Sequence, residues 1–175
     1  MAQISLGKTG LYVEQNGFGA LPIQRVSKQD AVYLLRKAYD GGMNFYDTAR
    51  SYSDSEEKLG EAFSGMWDKI VIATKIPAVD VPRFWDDLHT SLRMLRRDHI
   101  DIFQFHNPPI SPRPGDDGGL YDAMLEAKQQ GKIRFIGMTN HRLDVAQEAI
   151  NSGLYDTLQF PLSYLSTDKE LELVQ

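Results

Sequence analysis

Short, almost continuously apolar segments alternate with longer amphipathic segments along the chain. The apolar segments are rich in β-branched and aromatic residues, which is typical of strands covered on both faces of a parallel sheet. Six such strands are predicted, at residues 17–20, 44–47, 70–75, 100–106, 133–138 and 157–160. Regular alternation of strand and helix is the signature of βαβ units, so the pattern predicts an α/β fold with a parallel sheet.

Five amphipathic helices are predicted between these strands. The first begins after Ser27, where Asp30 stands three residues on as in a capping box, and it ends at the pair Gly41 and Gly42. The others begin near residue 54, after Pro82, near Tyr121 and near Leu143. Each places apolar residues on one face, as a helix packed on a sheet requires.

The predicted strands end about 30 residues apart, which is the length of a βαβ unit. Six of them fit in 175 residues, whereas an eight-unit barrel takes about 250. The periodicity agrees equally with an open, doubly wound sheet and with an incomplete barrel. In either case residues 1–175 are expected to form a single domain.

Composition and charge exclude several classes of function. The net charge of −5 argues against nucleic acid as a partner, because binding to phosphates needs an excess of positive charge. No apolar segment approaches the roughly 20 residues of a membrane helix, and the N-terminus has no secretory pattern, so we expect a cytoplasmic protein without a membrane partner. The absence of cysteine excludes disulfides and thiolate sites, and the spacing of the four histidines predicts no metal site.

Ionisable residues end three successive predicted strands. Asp47, Lys75 and His106 take these positions, and Tyr52 lies in the loop just after Asp47. The carboxyl ends of parallel strands meet at one edge of a sheet, where α/β proteins build their sites. The pattern therefore predicts that these four side chains share a site.

These four groups suit the protonation of an oxygen atom. A tyrosine hydroxyl has a pKa near 10 and is a poor acid at neutral pH, but a nearby ammonium lowers that pKa. Lys75 is expected to supply the ammonium and Asp47 to hold it charged. His106 is expected to orient a substrate oxygen by a hydrogen bond.

Several segments of the sequence resemble the aldo-keto reductase family. The resemblance covers nearly the whole chain, and its segments follow one another in the family's order. They are LGKTGL (6–11), GFG (17–19), NFYDTARSY (44–52), SEEKLG (55–60), IATK (72–75), FQFH (103–106) and GKIRFIG (131–137).

The resemblance implies a (β/α)8 TIM-type barrel that uses NADPH or NADH to reduce a small aldehyde or ketone. It implies a catalytic tetrad of Asp47, Tyr52, Lys75 and His106, with Tyr52 as the general acid. It also implies a set of residues that bind the cofactor. These are Gly19, Thr139, Asn140, Gln159 and Tyr164, of which Tyr164 would stack on the nicotinamide ring.

In the family, the chain continues through two more strands and helices, and the loops of these units bind the phosphates of the cofactor. We therefore expect this chain to be truncated, with about six of the eight βα units, and to bind the cofactor weakly and turn over poorly on its own. The loop 107–119 either forms a wall of the substrate site that sets specificity or is a simple connector. Phe18, Leu21, Tyr46 and Trp85 are candidates for apolar residues that line the substrate site.

Two other functions stay open at this stage. One is a non-catalytic relative that keeps the cofactor pocket as a sensor or regulatory module. The other is an aldolase in which Lys75 forms a Schiff base, which requires Lys75 to be desolvated and away from Asp47. The sequence leaves the carbonyl substrate, the choice between NADPH and NADH, and the oligomeric state undetermined.

Overall fold

Six parallel strands form one curled sheet in the computed structural model, which describes residues 3–174. The strands of the protein are β1 (Gln3–Ser5), β2 (Tyr12–Glu14), β3 (Phe18–Gly19), β4 (Phe45–Asp47), β5 (Val71–Ile76), β6 (Ile100–His106), β7 (Ile133–Thr139) and β8 (Thr157–Gln159). In the sheet, β3 to β8 lie side by side in chain order. A doubly wound sheet would reverse its strand order at one point, so the structure is the barrel type and confirms the predicted parallel α/β fold.

Helices connect the strands and cover the outer face of the sheet. They are α1 (Lys28–Asp40), α2 (Ser55–Ala62), α3 (Val81–Leu95), α4 (Leu120–Gln129), α5 (Leu143–Ser152) and a short α6 (Asp168–Leu171), with 3-10 turns at Pro22–Arg25, Trp67–Lys69 and Glu172–Val174. The five predicted helices are confirmed, and Ser27 caps α1 by accepting a hydrogen bond from the Asp30 backbone N–H. Across residues 3–174, no helix has the length and apolar character needed to span a bilayer.

The N-terminal hairpin was not predicted. Strands β1 and β2 pair antiparallel, and the turn between them uses Gly7 and Gly10 in the left-handed region at φ +53° and +72°. Leu11 and Val13 from this hairpin pack on the inner face of the sheet against Val71. The hairpin therefore covers the inside of the curl, which the helices do not reach.

The two faces of the sheet carry different side chains because neighbouring residues of a strand point to opposite sides. On β6, Phe103 and Phe105 join the large core beneath the helices, whereas Ile102 joins the smaller inner cluster. On β5, Ile72 and Ile76 face the helices. This alternation decides which residues at the strand ends point into the curl.

Helix α2 lies directly against the end of α3. A Cβ atom at Gly60 would come within 2.1 Å of the Met94 carbonyl oxygen, so only glycine permits this approach. The loop that precedes α2 carries Tyr52, and the close packing of α2 on α3 therefore fixes the far end of that loop.

The loop 107–119 is anchored by Tyr155. The Tyr155 hydroxyl donates a hydrogen bond of 2.6 Å to the Pro112 carbonyl, and Ser111 Oγ lies 3.4 Å from the same hydroxyl. The Tyr155 ring also packs edge-on against Tyr121, with centroids 5.7 Å apart. Burial raises the pKa of Tyr155 to about 12.

We expect Tyr155→Phe to cost about 1 kcal/mol at neutral pH, because the Pro112 carbonyl loses its donor. A raised folded pKa stabilises the protein fully below the ordinary tyrosine pKa near 10, and this contribution disappears as pH rises through about 12. The stability gap between the parent and Tyr155→Phe should therefore shrink between about pH 9 and about pH 11. Urea unfolding at both pH values measures it, and an unchanged gap would contradict the assignment.

Candidate active site

The inward-facing residues at the carboxyl ends of the strands form the site. Asp47 ends β4 and His106 ends β6, and Lys75 stands next to last in β5. Lys75 pairs in register with Gln104 on β6, and His106 pairs with Thr139 on β7. The structure places Asp47, Lys75 and His106 at one edge of the sheet, as the sequence predicts.

Lys75 and Asp47 form a buried ion pair. Lys75 is only 2% exposed, and its Nζ lies 2.5 Å from Asp47 Oδ1 and donates a second hydrogen bond of 2.7 Å to the Thr48 carbonyl. Burial lowers the pKa of Lys75 and raises the pKa of Asp47, and in each case the charge of the partner offsets part of the shift. Gln104 Nε2, at 3.4 Å from Asp47 Oδ2, also favours the carboxylate.

Tyr52 is held between Lys75 and His106. Its loop is tied to β5 by a hydrogen bond of 2.8 Å from the Arg50 N–H to the Lys75 carbonyl. Lys75 Nζ lies 5.1 Å from the centroid of the Tyr52 ring, and the His106 ring meets the Tyr52 ring edge-on at 5.7 Å. The four predicted residues of the tetrad therefore lie together.

The expected direction of the Tyr52 pKa is wrong. Burial and then the negative charge of Asp47 raise the pKa of the Tyr52 hydroxyl, where the sequence analysis expected Lys75 to lower it. The larger cause is burial, which disfavours the charged phenolate, while Lys75 Nζ lies over the ring and is paired with Asp47. The hydroxyl therefore stays protonated at neutral pH.

His106 is neutral at pH 7. Burial, followed by the ammonium of Lys75 and the nearby His141 side chain, lowers the pKa of its imidazole. Ser51 Oγ lies 3.4 Å from His106 Nδ1 and is its hydrogen-bonding neighbour in the Tyr52 loop. A neutral imidazole beside a phenol offers a hydrogen-bond donor without adding another charge.

A buried glutamate anchors the same loop from below. Glu56 is 1% exposed and accepts hydrogen bonds from Thr74 Oγ1 at 2.6 Å and Ser91 Oγ at 2.7 Å. Its second carboxylate oxygen pairs with Arg50, two residues before Tyr52. In the sequence, Glu56 stands out only as part of the SEEKLG motif, which predicts no role for it.

The tetrad opens into a cleft of about 190 Å³. Eight residues line it: Tyr52, Lys75, His106, Thr139, Asn140, His141, Gln159 and Pro161. His141 and Pro161 were not predicted as site residues, although each lies two residues after the end of a strand. Within residues 3–174, no three His, Cys, Asp or Glu side chains are grouped so that they could hold a metal ion.

Polar groups from β7 and β8 form one wall of the cleft. The Thr139 hydroxyl accepts a hydrogen bond of 3.2 Å from the Asn107 N–H, which leaves its own O–H to donate. Asn140 is held rigidly, because its amide donates to the Pro108 carbonyl at 2.8 Å and accepts from the Arg142 N–H at 2.8 Å. Gln159 pairs in register with Thr139. The structure brings these three residues together beside the tetrad.

The other predicted binding residues lie elsewhere. Gly19, on β3, pairs in register with Asp47 and does not line the cleft. Tyr164 lies in the segment after β8 and is 95% exposed. Tyr46 is wrong as substrate lining, because it is fully buried on the outer face, where its hydroxyl donates to the Met43 carbonyl at 3.0 Å. Trp85 packs on Phe84 in the helix layer.

Comparison with known proteins gives relatives along the whole described chain. The L-galactose dehydrogenase of Arabidopsis thaliana is 31% identical, over 91% of this chain and 55% of the relative. An aldo-keto reductase structure from Bacillus halodurans, in its holo form, is 25% identical with a TM-score of 0.84, over 98% of this chain and 61% of that one. An aldo/keto reductase from Klebsiella pneumoniae in complex with NADP and acetate is 27% identical with a TM-score of 0.69, over 79% and 50%.

The chain spans about half the length of the curated relatives it matches. The Aldo/keto reductase family model matches residues 15–175, which include every strand of the parallel sheet and all four residues of the tetrad. The sheet order and the position of the cleft at the carboxyl ends of the strands agree with this match. The chain therefore belongs to the aldo/keto reductase family.

Proposed function

We propose that the protein reduces an aldehyde or ketone to an alcohol with NADPH or NADH, and that Tyr52 is the general acid. The observation that carries this proposal is the cleft in which a protonated phenol stands against a buried ammonium–carboxylate pair and a neutral imidazole. Reduction of a carbonyl builds negative charge on its oxygen, and this oxygen needs a proton as the carbon is attacked.

Tyr52 supplies that proton from its hydroxyl. Its raised pKa keeps the proton in place until the carbonyl oxygen gains charge, and the ammonium of Lys75 stabilises the phenolate that is left. Asp47 keeps Lys75 charged despite burial, so it acts through Lys75. His106 donates a hydrogen bond that orients the carbonyl oxygen towards Tyr52.

The cleft wall fits the nicotinamide end of the cofactor. A carboxamide has one acceptor and one donor group, and the Thr139 hydroxyl with the amides of Asn140 and Gln159 offers both kinds of partner. When bound, the reduced nicotinamide supplies a hydride to the carbonyl carbon. We assign Thr139, Asn140 and Gln159 to this end.

The name of one relative suggests a class of carbonyl substrate. The Arabidopsis relative is named for a sugar, and the Klebsiella structure holds NADP. We propose that this protein takes a small polar carbonyl compound of the hydroxyaldehyde type. The polar wall of the cleft, with His106 and His141 in it, suits such a substrate better than a large apolar one.

The two alternative functions are less well supported. A Schiff-base aldolase needs Lys75 neutral and apart from Asp47, but the two side chains form an ion pair at 2.5 Å. A non-catalytic sensor has no need of a proton donor, yet Tyr52 is positioned by its loop, Lys75 and His106 together.

A single-turnover experiment tests the proposed function. The 175-residue chain is held in excess over NADPH, so that weak cofactor binding does not hide transfer, and glyceraldehyde is added as the probe. We expect glycerol to form in step with NADPH oxidation, with NADH tested in parallel. A control without chain sets the background. No glycerol above that background with either cofactor would overturn the proposal.

A further inference from the structure

Three polar side chains are buried in the first turn of α2, within the motif SEEKLG (55–60). Ser55, Glu56 and Lys58 are 0%, 1% and 2% exposed, although glutamate and lysine are rarely buried unless they are paired. Ser55 Oγ donates to the Ala20 carbonyl at 2.8 Å, and Lys58 Nζ donates to two further carbonyls of the loop after β3, at 2.8 and 3.0 Å. These two residues therefore hold the loop after β3, whereas Glu56 has other partners.

Glu56 connects three elements through one carboxylate. Its Oε1 accepts from Thr74 Oγ1 on β5 at 2.6 Å and from Ser91 Oγ on α3 at 2.7 Å. Its Oε2 pairs with the guanidinium of Arg50, which lies in the loop 48–54 between β4 and α2. A buried carboxylate needs both a charge partner and hydrogen bonds, and this one has both.

Arg50 is the residue through which this network reaches the tyrosine. Its side chain pairs with Glu56, and its backbone N–H donates to the Lys75 carbonyl at 2.8 Å. Thr74 directly precedes Lys75 in β5, so its side chain points to the opposite face of the strand. The loop that carries Tyr52 and the strand that carries Lys75 are therefore joined to the same carboxylate.

The position of the Tyr52 ring depends on its loop. The ring contacts the Lys75 ammonium at 5.1 Å and the His106 ring at 5.7 Å, and such contacts are individually weak. Glu56 does not line the cleft, so it does not touch a bound substrate or cofactor. Any effect of Glu56 on the reaction must therefore pass through the loop.

We propose that Glu56 is a positioning residue for the reduction, and that it acts through Arg50 to hold the Tyr52 hydroxyl in reach of the carbonyl oxygen. The inference rests on the proposed function, in which Tyr52 is the general acid. Proton transfer requires close approach and alignment, and a displacement of about 1 Å costs a factor of about 10² in rate. A loop released from its ion pair would allow such a displacement.

Glu56→Gln tests this role. Glutamine keeps an oxygen for the two hydroxyl partners but loses the charge that pairs with Arg50. In the chain without cofactor, the NMR cross-peak between the ring protons of Tyr52 and His106 reports the position of the phenol. We expect the variant to lose most of that cross-peak and its single-turnover rate of NADPH oxidation with glyceraldehyde to fall at least about tenfold. The Kd for NADPH should stay at the parent value, because β7 and β8 build the cofactor wall.

Two other carboxylates provide matched controls. Asp101 is also 2% exposed and pairs with two arginines, at 2.9 and 3.0 Å, but it lies at the start of β6, away from the cleft. Asp101→Asn therefore removes an equally buried charge without touching the tyrosine loop. Glu57 is the neighbour of Glu56 on α2 and pairs with a lysine at the surface. Both Asp101→Asn and Glu57→Gln should keep the cross-peak and the rate.

A second variant covers the case in which Glu56→Gln does not fold. Arg50→Gln removes the ion pair at its less buried partner, whose side chain is 17% exposed, and it should give the same two losses. A folded variant that keeps either the parent cross-peak or the parent rate would overturn the proposal, and so would equal losses in Asp101→Asn. If the parent itself does not reduce glyceraldehyde, the proposed function fails, and the cross-peak alone decides whether Glu56 positions Tyr52.

Discussion

The Tyr52→Phe variant is expected to lose carbonyl reduction by a factor of about 10³, which corresponds to about 4 kcal/mol of transition-state stabilisation. Phenylalanine keeps the ring that contacts His106 and lies beneath Lys75, but it has no proton to give. The single-turnover rate of NADPH oxidation with glyceraldehyde measures the loss. The free energy of unfolding should stay within about 0.5 kcal/mol of the parent.

The pH dependence of the parent supports or refutes the same assignment. Because burial and Asp47 raise the Tyr52 pKa, the hydroxyl remains protonated through neutral pH, and the rate should fall only at alkaline pH, where Lys75 or Tyr52 loses its proton. Tyr33→Phe is the matched control, since Tyr33 is 61% exposed on α1. If Tyr52→Phe kept the parent rate, Tyr52 would not be the general acid of the reduction.

The sheet was predictable because hydrophobic periodicity reports burial directly. Strand β6 is buried along nearly its whole length, since it is covered by helices on one side and by the curl on the other. The hairpin escaped prediction for the same reason: β1 is three residues long and exposed throughout, so it carries no such signal.

The site was predictable to the extent that strand ends share one edge. Asp47, Lys75 and His106 were found in this way, but their electrostatics were not, because a pKa depends on burial and on distances between strands. The Tyr52 pKa moves opposite to the expected direction for that reason. Tyr46 was expected to line the site, but neighbouring residues of β4 point to opposite faces. Asp47 points into the curl, so Tyr46 points towards the helices.

Lys75→Met is expected to lower both stability and activity. It removes the cation from a buried pair and leaves Asp47 with amide partners alone, which should cost about 3 kcal/mol of unfolding free energy at pH 7. Reduction should fall at least about 10²-fold, because the Tyr52 phenolate loses its stabilising charge. Urea unfolding measures the first effect, and the single-turnover rate measures the second.

The double variant Asp47→Asn with Lys75→Met separates the two effects. With both charges gone no ion is left unpaired, so most of the lost stability should return while the activity does not. In Lys75→Met alone, the Asp47 carboxyl should hold its proton more tightly in the folded state. The stability of that variant should therefore be greatest below about pH 4 and fall as pH rises through the folded pKa of the carboxyl. A double variant as unstable as Lys75→Met, or as active as the parent, would show that Lys75 does not act through its charge.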